Sequence, residues 1–201
     1  MNDINVDSKA DNRQIIKEKA LYLFYSKGYD AVGVQEIVNT AGITKPTLYY
    51  YFKSKSGLLQ SILEEKCTSI IRDLKEAAFF DGDLVKTLER IVKVYMQVAV
   101  NDHEFYNFMF SLYFTAKGNE SYQIIRPYII KQFDIVKTIF DEASYQLGNM
   151  RNRQEQFAIG FIGIITHYIM YHYEKDYPVE ELLDQQVAYS LVHQFMHGIN
   201  S

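Results

Sequence analysis

Residues Ala41–Leu59 read AGITKPTLYYYFKSKSGLL, and the signals packed into that stretch set the local geometry. Just before it, Val34, Ile37, Val38 and Ala41 have the spacing of a short amphipathic helix, with Gly33 at its start. Gly42 ends that helix, because glycine enters the left-handed conformation of a helix stop without a Cβ clash. Thr44 offers a hydroxyl to cap the next helix, and Pro46 falls in its first turn, where a missing N–H costs little. That helix is predicted to run through Tyr51, with Leu48 and Phe52, four apart, packing it onto the first helix of the chain. Two short helices joined by Gly42-Ile43-Thr44 make a helix-turn-helix. Ser54 caps a further helix, expected to reach about Phe80, with Leu58, Leu59, Ile62, Leu63 and Ile70 at helical intervals.

Working outward, Ile16, Ala20, Leu23 and Phe24 predict a helix over Lys9–Lys27, stopped by Gly28, behind a frayed Met1–Ser8. Downstream, helices are predicted over Asp83–Asn101, Asp102–Lys117, Asn119–Leu147, Arg151–Lys175 and Val179–Gly198. Gly82, the Asn101-Asp102 step, Gly118, Gly148 and Pro178 separate them. Pro127 predicts a kink or break near Arg126. No period-2 alternation persists and no internal repeat is visible, so the chain reads as all-α.

The composition fits that class. Of 201 residues, 48% are hydrophobic and only 3 are proline, which favours long helices around a sizeable core. The single cysteine, Cys67, lies in a helical stretch and reads as a buried, inert thiol suited to a reducing cytosol. The first fifteen residues are polar and acidic, so no signal peptide is expected. Phe157–Met170 is too short and interrupted to span a bilayer, which takes about 20 apolar residues. A soluble cytoplasmic protein with no membrane contact is the expectation. The net charge of −4 argues against a nucleic-acid partner, but its distribution argues for one. Lys9–Lys55 holds eight basic and four acidic residues, a net of +4, whereas Ser61 onward holds thirteen and nineteen, a net of −6. A basic head on an acidic body suits a protein that brings one end to phosphates.

The Ala41–Leu59 stretch closely resembles the TetR-family pattern A-G-[VI]-[ST]-x-x-x-L-Y-x-[HY]-F-x-[SN]-K-x-x-L. Ala41, Gly42, Ile43, Thr44, Leu48, Tyr49, Tyr51, Phe52, Ser54, Lys55 and Leu58 fall on it. A long first helix ending Phe24-Tyr25-Ser26-Lys27-Gly28-Tyr29 extends the resemblance over about residues 10–63. It implies an all-α fold: a three-helix DNA-binding domain over residues 9–54, then a helical-bundle domain over 55–201 that binds an effector and dimerises. It also implies a ligand-responsive transcriptional regulator, here expected to be a repressor released from a palindromic operator by a small molecule. A transcriptional activator of the same fold, or a ligand-binding adaptor without DNA binding, are the alternatives. Gly33 departs from the family, which carries Ser or Thr there to cap the second helix and touch a phosphate.

A helix-turn-helix presents the N-terminal residues of its second helix to the major groove. Lys45 can donate to guanine edges or phosphates, while carbons of Pro46 and Thr47 can meet a thymine methyl. Tyr49 lies with them at the end that enters the groove, and Tyr50 and Tyr51 can reach phosphates through their hydroxyls, although Tyr49 and Tyr51 also read as core aromatics. Thr44 completes this face, and Lys55 adds charge near the N-terminus of the following helix, a phosphate-binding position.

The body is less explicit. Phe105, Tyr106, Phe108, Met109, Phe110, Leu112, Tyr113 and Phe114 make one helix apolar nearly all round, which suits plain core or a ligand-lined cavity. Phe105, Met109, Tyr113, Arg126 and Tyr168 are the candidate effector residues. Arg126 suits an anionic ligand or an internal ion pair; the acidic, aromatic body suits a cationic ligand instead. The resemblance assigns dimerisation to the last two helices, with Phe157, Gly160, Phe161, Ile164, Leu191 and Phe195 as candidates; packing within one chain explains the same stripe. A homodimer also follows from the motif, since one helix-turn-helix covers a half-site. His193 and His197 share a helical face but lack the companion residues of a zinc site, so no metal and no cofactor are expected. No nucleophile–base pair, phosphate loop or ligand cluster points to an enzyme.

Overall fold

The computed structural model describes residues 4–148, 150 and 152–198. Among them are nine α-helices: α1 (Ile4–Lys27), α2 (Val34–Ala41), α3 (Lys45–Phe52), α4 (Lys55–Ala77), α5 (Leu84–Asn101), α6 (His103–Tyr113), α7 (Glu120–Glu142), α8 (Gln154–Glu174) and α9 (Gln185–His197). Two 3₁₀ turns, Ala143–Gln146 and Val179–Leu183, join the last three, and no strand occurs among the described residues. None of these helices is long and apolar enough to cross a membrane.

Most predicted boundaries hold within a few residues, and the departures have local causes. Helix α1 already includes Ile4–Ser8, where fraying was expected; Met1–Asp3 lie outside the described residues, as does Arg151 at the expected start of α8. Helix α6 stops at Tyr113, short of Lys117, where the Thr115 hydroxyl donates to the Leu112 carbonyl at 2.9 Å and closes the last turn. The predicted Val179–Gly198 helix is divided at Asp184, whose carboxylate accepts from the Gln186 amide at 2.8 Å and so caps a new helix. Pro127 lies within α7, which continues through it, while the end of the predicted stretch tightens into the 3₁₀ turn after Glu142. At the end of α4, Arg90 satisfies free carbonyls by donating to Ala77 at 3.1 Å and to Phe79 at 2.5 Å.

The helices form two compact units that do not follow chain order. The first comprises the chain through Thr68 together with Glu104–Pro127; the second comprises Ser69–His103 and residues from Tyr128 on. The core of the first contains Ile16, Phe24, Ile37, Leu48, Leu58, Leu59, Phe105, Tyr106, Phe108 and Met109, all at most 1% exposed. Phe24 stacks on Phe108 with centroids 6.0 Å apart. The second unit is built on Leu88, Ile91, Val92, Ile139, Phe140, Phe161, Ile165 and Val192, with Phe140, Phe157, Phe161 and Phe195 in an aromatic cluster. Burying one such side chain stabilises by about 1.5–3 kcal/mol, so each unit has an adequate core without metal or disulfide.

Candidate nucleic-acid interface

Helix α2 opens at Gly33, in extended conformation with no side-chain cap, and ends at Gly42 with φ +66°. The Gly42 amide donates to the Asn39 carbonyl at 3.3 Å and the Ile43 amide to Val38 at 3.0 Å. This reciprocal pair is a Schellman stop, which turns the chain sharply and requires the left-handed residue that glycine supplies. Thr44, extended at φ −103°, then caps α3: its Oγ1 accepts from the Thr47 amide at 3.4 Å and lies 2.9 Å from the Thr47 hydroxyl. Pro46 sits in the first turn, as its missing N–H allows.

Helix α3 has only eight residues, too few to be stable alone, so its place depends on its ends and two anchors. Leu48 and Phe52 face inward, and the Arg13 guanidinium of α1 lies 5.7 Å from the Phe52 ring centre. At its far end Lys53 takes φ +67° and the Ser54 amide returns to the Phe52 carbonyl at 2.8 Å, forming a γ-turn between α3 and α4. Ser54 Oγ then accepts from the Gly57 amide at 2.9 Å to cap α4. A Cβ at position 57 would collide with the Phe52 carbonyl oxygen, so glycine is what lets the two helices meet so tightly.

The opposite face of α3 is open. Thr44, Lys45, Pro46, Tyr49 and Tyr50 are exposed, Thr47 and Tyr51 half-buried, and the Tyr50 and Tyr51 rings meet edge-on at 5.2 Å. Lys45 and Tyr49, and Pro46 and Tyr50, are i, i+4 pairs on the exposed side of the helix, and Thr47 and Tyr51 form a third pair at its half-buried margin. Tyr50 is 65% exposed and Tyr49 44%, so both rings are open to a partner.

Lys55 is placed differently. Its ammonium donates to the carbonyls of Tyr29 and Val32, both at 3.0 Å, and lies 4.2 Å from the Tyr29 ring centre. It ties the start of α4 to the turn between α1 and α2. Tyr29 itself is buried, and burial followed by the nearby Glu120 carboxylate raises its phenol above the ordinary range, keeping it neutral. Neither Gly57 nor Tyr29 stood out in the sequence as part of the site; both matter through partners in space.

The family profile described as bacterial regulatory proteins, tetR family, matches residues 16–62, which span the turn, both short helices and their supports. Residues 16–62 are thus similar to the DNA-binding head of the TetR family. The chain is a DNA-binding transcriptional regulator, as are the relatives that match it. The transcriptional activator FasR of Mycolicibacterium smegmatis is 24% identical over 164 residues, covering 79% of this chain and 71% of that protein. Among solved structures, a Clostridium perfringens protein named as a candidate fatty acid metabolism regulator superposes with a TM-score of 0.79 at 20% identity, covering 93% of this chain and 99% of that one. FadR of Bacillus subtilis, solved with stearoyl-CoA, gives 0.75 at 19% identity over the same shares. At such identities the likeness shows that the TetR-family fold extends beyond the matched head into the body.

Of the candidate effector residues, Phe105, Met109, Tyr113 and Arg126 belong to the first unit and Tyr168 to the second. Phe105 and Met109 are core residues of the first unit, Tyr113 is half-buried and stacks on Tyr122 at 5.8 Å, and Arg126 is exposed. Tyr168 is half-buried in the second unit, where burial and then Glu181 raise its phenol. Of the candidate dimer residues, Phe161 and Leu191 are buried within the chain, Phe157, Ile164 and Phe195 half-buried, and Gly160 exposed. Besides Gly160, α8 exposes Ile159, His167, Met170 and Tyr171, and α9 exposes Tyr189. No group of three or more His, Cys, Asp or Glu among the described residues is placed to hold a metal ion.

Proposed function

We propose that the chain is a homodimeric repressor that reads a pseudo-palindromic operator through α3 and releases it when an acyl-CoA thioester occupies its helical body, the domain taken as residues 55–201. The observation that carries this reading is the face of α3: Lys45, Pro46, Tyr49 and Tyr50 point outward while Leu48 and Phe52 hold the helix from behind. Lys45 and Thr47 supply donors and methyl contacts for base edges, and Thr44 and the tyrosine hydroxyls supply phosphate contacts. The exposed side chains of α8 and α9, among them Ile159, Met170, Tyr171 and Tyr189, support a two-fold interface that pairs two such helices. The fold shared with stearoyl-CoA-bound FadR supports the effector class.

Release is a coupling free energy: the effector favours a conformation whose two recognition helices no longer match successive major grooves. The test is an electrophoretic mobility shift on DNA upstream of the protein's own and neighbouring genes, at two salt concentrations, with stearoyl-CoA, CoA and stearate added in turn. Salt-dependent binding relieved by stearoyl-CoA alone is the expected result. Binding that none of the three relieves would remove the effector assignment, and absence of binding would remove the repressor. The similarity to FasR, named an activator, favours a second reading in which the same operator contact raises transcription; a reporter fused to the bound promoter distinguishes the two.

A further inference from the structure

Behind the exposed face of α3, the first compact unit contains a chain of contacts between the turn after α1 and the start of α7. The buried Tyr29 ring meets Phe24 edge-on at 5.1 Å and carries the Lys55 ammonium over its face. Lys55 grips the same turn through the carbonyls of Tyr29 and Val32. On the other side, Tyr29 Oη donates to Glu120 Oε2 at 3.1 Å, and the Asn119 side-chain amide donates to Asp30 Oδ2 at 3.4 Å. Glu120 opens α7, where a carboxylate is also favoured by the helix N-terminus.

We propose that Tyr29, Lys55 and Glu120 form a latch that holds the helix-turn-helix in its operator-binding position, with Tyr29 and Glu120 acting as positioning residues rather than DNA contacts. The proposal rests on the reading that the effector-free protein is the form that binds DNA. A phenol donating to a carboxylate is a charge-assisted bond, stronger than the neutral bonds of the surrounding turn. Glu120 is exposed, so it returns to water when the bond opens, and Tyr29 keeps its ring packing without its hydroxyl. The fold therefore survives loss of the bond. What is lost is the tie between the first turn of α7 and the segment Tyr29–Val32 that leads directly into α2. A displacement of α7 is thereby passed to α2 and α3, and operator affinity falls by the fraction of molecules in which the latch is open.

The experiment uses a duplex selected from random-sequence DNA by the wild-type protein. Its dissociation constant is measured by fluorescence anisotropy for wild type, Tyr29→Phe, Glu120→Ala and the double variant, beside thermal unfolding of each. Each single substitution is expected to weaken binding by about tenfold, the order of one hydrogen bond to a charged group, and the double variant no further, because both remove the same bond. Thermal midpoints should move little, which a merely structural role for the pair would not allow. Affinities within about twofold of wild type, tighter binding, or a double variant whose loss is the product of the two single losses would overturn the latch. Failure of the wild type to select any duplex would overturn the DNA-binding reading first, a result distinct from variants that bind as wild type does.

Discussion

Helix α3 holds Tyr49, Tyr50, Tyr51 and Phe52 and turns Tyr49 and Tyr50 to solvent, whereas α6 holds Phe105, Tyr106, Phe108 and Met109 and exposes each by at most 1%. Both are short, both are aromatic, and residues of both pack in the same compact unit. Ring content therefore does not decide what a helix is for. The number of faces held by apolar neighbours does: α3 is anchored along one stripe, Leu48 and Phe52, and by its Thr44 cap, leaving its other face open. No large apolar side chain of α6 is exposed; Phe114, exposed to 72%, lies just past its end. Substitutions should separate accordingly, those in α6 acting on stability and those on the open face of α3 acting on DNA binding.

The largest effect is expected from Phe108→Ala. It empties a site inside the core and removes the stacking on Phe24, so unfolding stability should drop by about 3–5 kcal/mol in urea titration. A loss under about 1 kcal/mol would mean that α6 is packed no more tightly than α3.

The next contrast lies within α3. Leu48→Ala should cost about 2–5 kcal/mol of stability, whereas its neighbour Tyr49→Ala should leave the thermal midpoint unchanged. On DNA the order inverts: Tyr49→Ala and Lys45→Ala should each weaken operator binding by about 1–3 kcal/mol. If Lys45 meets a phosphate, its removal should also lower the slope of log affinity against log salt by about 1. Equal stability losses at positions 48 and 49 would break the one-face account of this helix.

What could be read from the sequence divides along the same line. The stop at Gly42, the cap at Thr44, Pro46 in the first turn and the Leu48–Phe52 stripe are all local, acting within four residues, and each stands in the structure where the spacing put it. The fate of Lys55 was not local. Its carbonyl partners lie 26 and 23 residues earlier, so a position beside a helix N-terminus suggested a phosphate site while the fold uses the charge to fasten a turn. Gly57 likewise answers to the Phe52 carbonyl and not to its own helix. Cys67 was legible because burial follows helical spacing: it is fully buried, and burial alone pushes its thiol up to about 12. A thiol reagent at pH 8 should label it only as the protein unfolds. Because the folded state holds that proton more tightly, stability should fall as pH rises above the ordinary thiol range near 8.5.

The smallest effect is also the one that best separates the two duties of α3, and it falls on Thr44. Its hydroxyl caps the helix from a fully open position where, in the proposed complex, it also meets the operator. Thr44→Ala should cost about 1 kcal/mol by leaving an amide without its cap, and should weaken operator binding in the same direction. Thr44→Asp should divide these roles. Aspartate caps at least as well as threonine, and its charge adds about 0.3–1 kcal/mol at a helix N-terminus, so the thermal midpoint should stay level or rise. The same charge facing phosphates should reduce operator affinity by more than alanine does. A variant that is more stable and binds DNA worse can arise only if the cap and the contact are one group serving two partners. If Thr44→Asp binds as well as wild type, the N-terminus of α3 does not face the phosphates, and the recognition surface must begin further along the helix, at Tyr49 and Tyr50.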